Sequence, residues 1–207
     1  MSYYYFIYLI SAYLLGSIPT AIWIGKRFYQ LDVREHGSKN AGATNTFRVL
    51  GKKPGIIVLF IDIIKGFLAV GLVVWTTNSV EETTRAYLLI LAAILAVVGH
   101  VYPVFAQFKG GKGVATSLGV ILGLYPAAGA ICVVVFMIVF MISKYVSLGA
   151  IVAAIIFPII VNFIFDTSFE LKAFSWALAA LVIYKHKLNI RRLISRTENK
   201  MDVFKKS

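Results

Sequence analysis

Residues 114–142 read VATSLGVILGLYPAAGAICVVVFMIVFMI, a run without a single charged side chain. A helix crossing the hydrocarbon core of a bilayer needs about 17 to 25 mostly apolar residues, so this run is long for one crossing and short for two. Leu124, Tyr125 and Pro126 stand at its middle. Proline lacks a backbone N–H and its ring clashes with the preceding turn, so a break there divides the run into two short helices. One crossing or two decides on which side of the membrane everything beyond it lies.

Loop charge makes the choice. The other apolar runs are 3–25, 55–76, 86–105, 146–165 and 171–185. With two crossings in 114–142, the segments 26–54, 106–113, 143–145 and 186–207 share one side, and with Lys185 at the boundary they carry 18 of the 21 Lys and Arg. The other side receives Glu81, Glu82, Arg85, Asp166, Glu170 and Lys172, a net negative set. Cytoplasmic loops carry the excess of Lys and Arg, so the basic side is the cytoplasmic one. A single crossing would instead put the basic tail outside. The expected fold is an all-α polytopic membrane protein with seven transmembrane helices. Its N-terminus is outside, its C-terminus is cytoplasmic, and its fourth and fifth spans are short. A single domain covers 1–207, with cytoplasmic loops 26–54 and 106–113 and a basic tail 186–207.

Composition agrees. The chain has 59% hydrophobic and 14% charged residues and a mean hydropathy of +0.83, which excludes an ordinary soluble domain. Its net charge of +12 is confined to a few loops, so its natural partners are anionic lipid and anionic substrate rather than nucleic acid. The lone Cys132 allows no intrachain disulfide and no cysteine-built metal site. The first run has no basic residue before it and Lys26-Arg27 after it, the reverse of a secretory signal, and reads as a retained span. Gly119, Gly123 and the cluster Ala127-Ala128-Gly129 are the small residues that let helices approach closely in lipid.

Three polar segments fall on the basic side. The first runs from His36-Gly37-Ser38-Lys39-Asn40 through Thr44-Asn45-Thr46 to Arg48 and Gly51-Lys52-Lys53. Glycines with Ser, Asn and Thr make tight turns that present backbone N–H groups, and Arg48 adds a planar fork suited to phosphate. Lys26, Arg27, Lys52 and Lys53 need no more than a topological role. The second segment, Gly99-His100 to Thr116, places Lys109-Gly110-Gly111-Lys112-Gly113 directly before a helix. Helix N-terminal N–H groups and ammonium charges together favour phosphate. It lacks the G-x-x-x-x-G-K-[ST] pattern, so nucleotide hydrolysis is not expected. His100 is an ionisable residue a turn inside a span and therefore a functional candidate. In the third segment His186 and Asn189 share a helical face, with Arg192 one turn on. A basic helix lying on anionic lipid accounts for Arg191, Lys200, Lys205 and Lys206. Asp62 and Lys65, three apart in one span, neutralise each other along that helix.

Taken in order, Gly16-Ser17-Ile18-Pro19, the Gly37–Asn45 loop with Arg48, Asp62 with Lys65-Gly66, Gly99-His100 with Phe108–Thr116, and His186 with Asn189-Ile190 and Arg192-Leu193 resemble the bacterial acyl-phosphate:glycerol-3-phosphate acyltransferases. The resemblance spans essentially the whole chain. It implies a cofactor-free enzyme of the bacterial inner membrane with its active site facing the cytoplasm. Such an enzyme moves a fatty acyl group from a long-chain acyl phosphate to the 1-hydroxyl of glycerol 3-phosphate, giving lysophosphatidic acid and phosphate, the first acylation of phospholipid synthesis. The soluble enzyme that makes the acyl phosphate is a candidate partner. In this reading Arg48, Lys109 and Lys112, with Gly110, Gly111 and Thr116, hold the phosphates. Ser38, Asn40, Thr44 and Asn45 shape the first loop and donate to substrate. His100, with His186 behind it, is the side-chain candidate for general base, and a substrate phosphate oxygen is the alternative. Asn189 and Arg192 complete the glycerol phosphate pocket. Lys39 stands where the family commonly has glycine, and Arg196 interrupts a usual Gly-Thr-Glu, so no role is assigned to Glu198.

Other classes fit less well. A transporter for organic phosphate would place its sites near the midplane and carry an inverted repeat. A thioester-dependent acyltransferase would show an Asp four residues after a His, and none of His36, His100 or His186 has one. A retinal-type receptor needs a buried lysine in its last span, and Lys185 lies at the edge.

Overall fold

The computed structural model describes residues 3–165 and 167–201, and over that stretch the apolar runs form helices with no strand. Asp166, Asp202, Lys205 and Lys206, used in the charge count above, lie outside the described residues. The helices are α1 Tyr3–Gly16, α2 Thr20–Tyr29, α3 Ala43–Leu50, α4 Lys52–Thr76, α5 Glu82–Val101, α6 Val114–Leu124, α7 Pro126–Ser143, α8 Val146–Phe163, α9 Phe169–Lys185 and α10 Lys187–Ile194. The break expected at Tyr125–Pro126 is present: α6 stops at Leu124, and Pro126 takes the first turn of α7, where its missing N–H costs no hydrogen bond. α4, α5, α7 and α8 are each long and apolar enough to cross a membrane.

Two expectations change. The run 3–25 is not one straight helix: α1 and α2 meet at a 45° bend at Ser17-Ile18-Pro19. Pro19 cannot donate to the ladder and disfavours helix at the residue before it, so the chain turns there. The loop 26–54 is also largely structured. It contains the end of α2, a 3-10 turn at Val33–Glu35, all of α3 and the start of α4. Thr44, Asn45 and Arg48 therefore sit on a short helix rather than in an open turn.

The chain forms two compact units, one up to Leu124 and one from Tyr125. In the first, α4 is central and touches α1, α2, α3, α5 and α6. Lipid tails are as apolar as Leu, so helices there associate through close packing rather than hydrophobic exclusion. Glycine supplies that closeness. A Cβ on Gly66 of α4 would collide with the Thr116 carbonyl of α6, and one on Gly119 of α6 with the Ile63 carbonyl of α4. Gly16 of α1 meets the Ala96 carbonyl of α5, and Gly99 of α5 the Tyr13 carbonyl of α1, in the same way. In the second unit α8 packs against both α7 and α9, and α10 turns off the end of α9 at His186.

Candidate active site

The first segment is organised by one side chain. Asn45 lies in the first turn of α3 and is only 1% exposed. Its Oδ1 accepts from the Ser38 backbone N–H (2.7 Å) and the Ser38 hydroxyl (3.0 Å), while its Nδ2 donates to the carbonyls of Val33 (2.7 Å) and His36 (3.1 Å). All its polar capacity is used within the chain, so Asn45 staples the loop rather than reaching for substrate. Gly37 permits the fold-over: it sits at φ +58°, and a Cβ there would strike Asn45 Oδ1 and come within 3.5 Å of Arg48 Cδ. Arg48 thus lies against Gly37, exposed and with no partner for its guanidinium among the described residues. Asn40 and Thr44 are half-buried around Gly42.

The second segment is fastened to the end of α5. The N–H groups of Gly110 and Gly111 donate to the carbonyls of Val101 (3.2 Å) and His100 (3.1 Å). These two glycines therefore offer a substrate no N–H here. What they supply is closeness, since a Cβ on Gly110 would hit the His100 carbonyl and one on Gly111 the His100 ring at Nε2. Lys109 is exposed and unpaired among the described residues, and Lys112 is half-buried. Thr116 is fully buried and its hydroxyl makes no hydrogen bond among the described residues.

Lys109 and Gly110 border an open cleft of about 430 Å³ with Asp32, Arg34, Glu35, Lys39 and Gln107. Arg34 is spent on Asp32 (2.7 Å) and the Ala106 carbonyl (3.1 Å), tying the 3-10 turn that precedes the first segment to the second segment. The same guanidinium holds the Asp32 carboxyl far below the usual carboxylate range. Lys39 lies on this cleft at φ +57°, the left-handed conformation that favours glycine.

His100 is 6% exposed, with Nδ1 3.7 Å from Asp62 Oδ1. The Asp62–Lys65 pair is real, at 2.8 Å, but it does more than neutralise one helix face. Thr20 donates to Asp62 (3.2 Å) and Lys65 to the Ile18 carbonyl (2.8 Å), so the pair also holds the bend of the first span.

In the second unit, His186 is 3% exposed with Nδ1 2.7 Å from the Val182 carbonyl. Sequence reasoning missed Glu198. Its side chain is 7% exposed, accepts from Asn189 Nδ2 (2.6 Å) and the Ser147 hydroxyl (2.8 Å), and pairs with Arg192 Nε (3.1 Å). Arg196, where the usual glycine is missing, takes φ +58°, and the N–H groups of Thr197 and Glu198 then close on the Arg192 carbonyl at 2.8 and 3.2 Å. This left-handed turn delivers Glu198.

Residues 6–196 match the family model for glycerol-3-phosphate acyltransferase. Curated glycerol-3-phosphate acyltransferases are similar along nearly the whole length. One from Fusobacterium nucleatum is 45% identical, over 95% of this chain and 97% of its own. One from Bacillus cytotoxicus is 46% identical over 97% of both chains, and one from Streptococcus agalactiae 48% identical over 93% and 92%. Crystal structures of PlsY (YgiH), an integral membrane glycerol 3-phosphate acyltransferase, superpose with TM-scores of 0.87 for the glycerol 3-phosphate form and 0.85 for the lysophosphatidic acid form. Both are 36% identical and cover 96% of each chain. Motifs, fold and similarity over the full length coincide, and the chain belongs to the glycerol-3-phosphate acyltransferase family.

Proposed function

We propose that this protein transfers a fatty acyl group from a long-chain acyl phosphate to the 1-hydroxyl of glycerol 3-phosphate. The observation that carries the acceptor is the likeness, over 96% of both chains, to a PlsY solved with glycerol 3-phosphate and with lysophosphatidic acid. The donor rests on the motif resemblance and on chemistry. Both small substrates then carry a phosphate, and Arg48 and Lys109 are cations left without a carboxylate partner among the described residues.

The glycerol oxygen attacks the acyl carbonyl carbon, the carbon–oxygen bond to phosphate breaks, and phosphate leaves with that electron pair while the hydroxyl proton passes to a base. Phosphate is a good leaving group, so positioning and charge stabilisation supply most of the rate. Arg48, Lys109 and Lys112 hold the phosphates, the Ser38 hydroxyl and Asn40 donate to substrate from the first loop, and Asn189 and Arg192, both tied to Glu198, complete the glycerol phosphate contacts. Of the two histidines His186 is the better base. A carbonyl only accepts, so Nδ1 facing Val182 carries the proton, which in the neutral ring makes Nε2 the basic nitrogen. The His100 ring is wedged between Asp62 and Gly111. A general base contributes about 10² to 10⁴ in rate. His186→Ala is expected to lose that factor, and near-normal turnover in both His186→Ala and His100→Ala would leave a substrate phosphate oxygen as the base.

On the loop charges, the chain crosses the bacterial inner membrane seven times with its N-terminus outside and its active site facing the cytoplasm. The deciding assay gives purified protein glycerol 3-phosphate with palmitoyl phosphate, and in parallel with palmitoyl coenzyme A. Lysophosphatidic acid from the acyl phosphate alone is the expected result. Product from the thioester alone overturns the donor, and product from neither overturns the reaction.

A further inference from the structure

Asp62 and Lys65 are 2% and 3% exposed in the middle of a span, and the acyl-transfer reading gives them no task. Ionised groups at membrane depth persist where function holds them. On one side the pair grips the bend of the first span: Lys65 Nζ donates to the Ile18 carbonyl at 2.8 Å, and the Thr20 hydroxyl to Asp62 at 3.2 Å. On the other side the same Asp62 oxygen lies 3.7 Å from His100 Nδ1. His100 in turn supports the second segment. Its ring lies so close under Gly111 that a Cβ there would strike Nε2, and its carbonyl and that of Val101 accept the N–H groups of Gly111 and Gly110. A void of about 10 Å³, lined among others by Ile18, Thr20, Asp62, Lys65, His100 and Gly110, joins the two sides, so a displaced ring has almost no slack to absorb.

We propose that the buried Asp62–Lys65 pair is a positioning element for phosphate binding. It fixes the His100 ring on which the Lys109–Lys112 loop rests, and so sets the affinity for glycerol 3-phosphate without touching it. The identity of that phosphate rests on the acyltransferase reading. A pair that only stabilised the bend would, on neutral replacement, lower the thermal midpoint and leave binding alone.

Calorimetric titration of glycerol 3-phosphate into the full chain in detergent separates the two. The variant is Asp62→Asn with Lys65→Met, which leaves no lone buried charge. Its Kd is expected to rise about tenfold, with kcat at saturating substrate within about threefold of the parent. His100→Gln is expected to raise Kd similarly, and adding it to the double variant to bring no further loss, because both changes act through one ring. An unchanged Kd in the folded double variant overturns the proposal, as does a full multiplication of the two effects in the triple variant. Should the double variant fail to fold, Thr20→Val removes one hydrogen bond to Asp62 and keeps the test. A two- to fivefold weaker Kd supports the proposal and an unchanged one overturns it. Protein that binds glycerol 3-phosphate but uses no acyl phosphate loses only its donor assignment, whereas protein that binds no glycerol 3-phosphate loses both readings.

Discussion

Asn45 shows how much one side chain decides at the residue scale. Truncating it strands the buried Val33 carbonyl, at a cost of about 1 to 3 kcal/mol, and removes the partner of the part-buried Ser38 N–H and His36 carbonyl. Asn45→Ala should therefore lower the thermal midpoint and, by freeing Ser38, reduce turnover by more than tenfold. Asn45→Asp, equal in size but without donors to the two carbonyls, should do no better; wild-type activity in Asn45→Asp would refute the staple. Asp32 gives a pH prediction. Its folded pKa is depressed by Arg34, so its contribution to stability is complete above its ordinary value of 3.8 and fades as pH falls below that toward the folded value. Asp32→Asn should lower the thermal midpoint at pH 7 and flatten the loss of stability on acidification below pH 4, as read by melting curves across pH.

At the scale of elements, the α4–α6 crossing separates two glycines four residues apart. At Gly119 an added Cβ meets the Ile63 carbonyl, which is backbone and cannot give. At Gly123 it would lie 3.4 Å from Val70 Cβ, an ordinary contact. Overpacking costs roughly 1 to 3 kcal/mol, occasionally more. Gly119→Ala should sharply reduce the yield of folded protein while Gly123→Ala melts within a degree or two of the parent; equal behaviour would contradict the described crossing. The start of α5 is set by Glu81, whose carboxylate accepts from the N–H groups of Thr83 (3.1 Å) and Thr84 (3.0 Å). Hydrogen bonding from Thr83, its side chain foremost, and from Thr84 pulls the Glu81 pKa down to about 2. The cap is intact above the ordinary value of 4.5 and is lost as pH falls from there through about 2.

For the molecule, large apolar side chains stand outward in each unit, with Phe60 63% exposed in the first and Ile142 and Phe163 81% and 83% exposed in the second. Such surface is stable only against lipid or detergent. Binding should therefore be followed with the micelle held constant. Glycerol 3-phosphate at about 100 times its Kd should stabilise the folded chain by about 2.7 kcal/mol, raising the midpoint by several degrees. Glycerol, without the phosphate, should leave it unchanged.

The sequence by itself determined the helical class, the break at Tyr125–Pro126 and the family. Charge-free runs, a proline that cannot donate and motifs with fixed spacing are local properties. The same local rules could have found the bend at Pro19, which the length of the apolar run concealed. Other features had no such signal. Asn45 looks like a substrate donor until Val33, His36 and Ser38 close around it. Gly110 and Gly111 look like phosphate donors until the last carbonyls of α5 take their N–H groups. Glu198 could be set aside until Asn189, Ser147 and Arg192 converge on it. Asp62 and Lys65 were legible as a pair, but the tertiary structure alone added Thr20, Ile18 and His100. A hydrogen bond depends on which residues distant in sequence arrive within about 3 Å, and spacing along the chain specifies that only inside one helix.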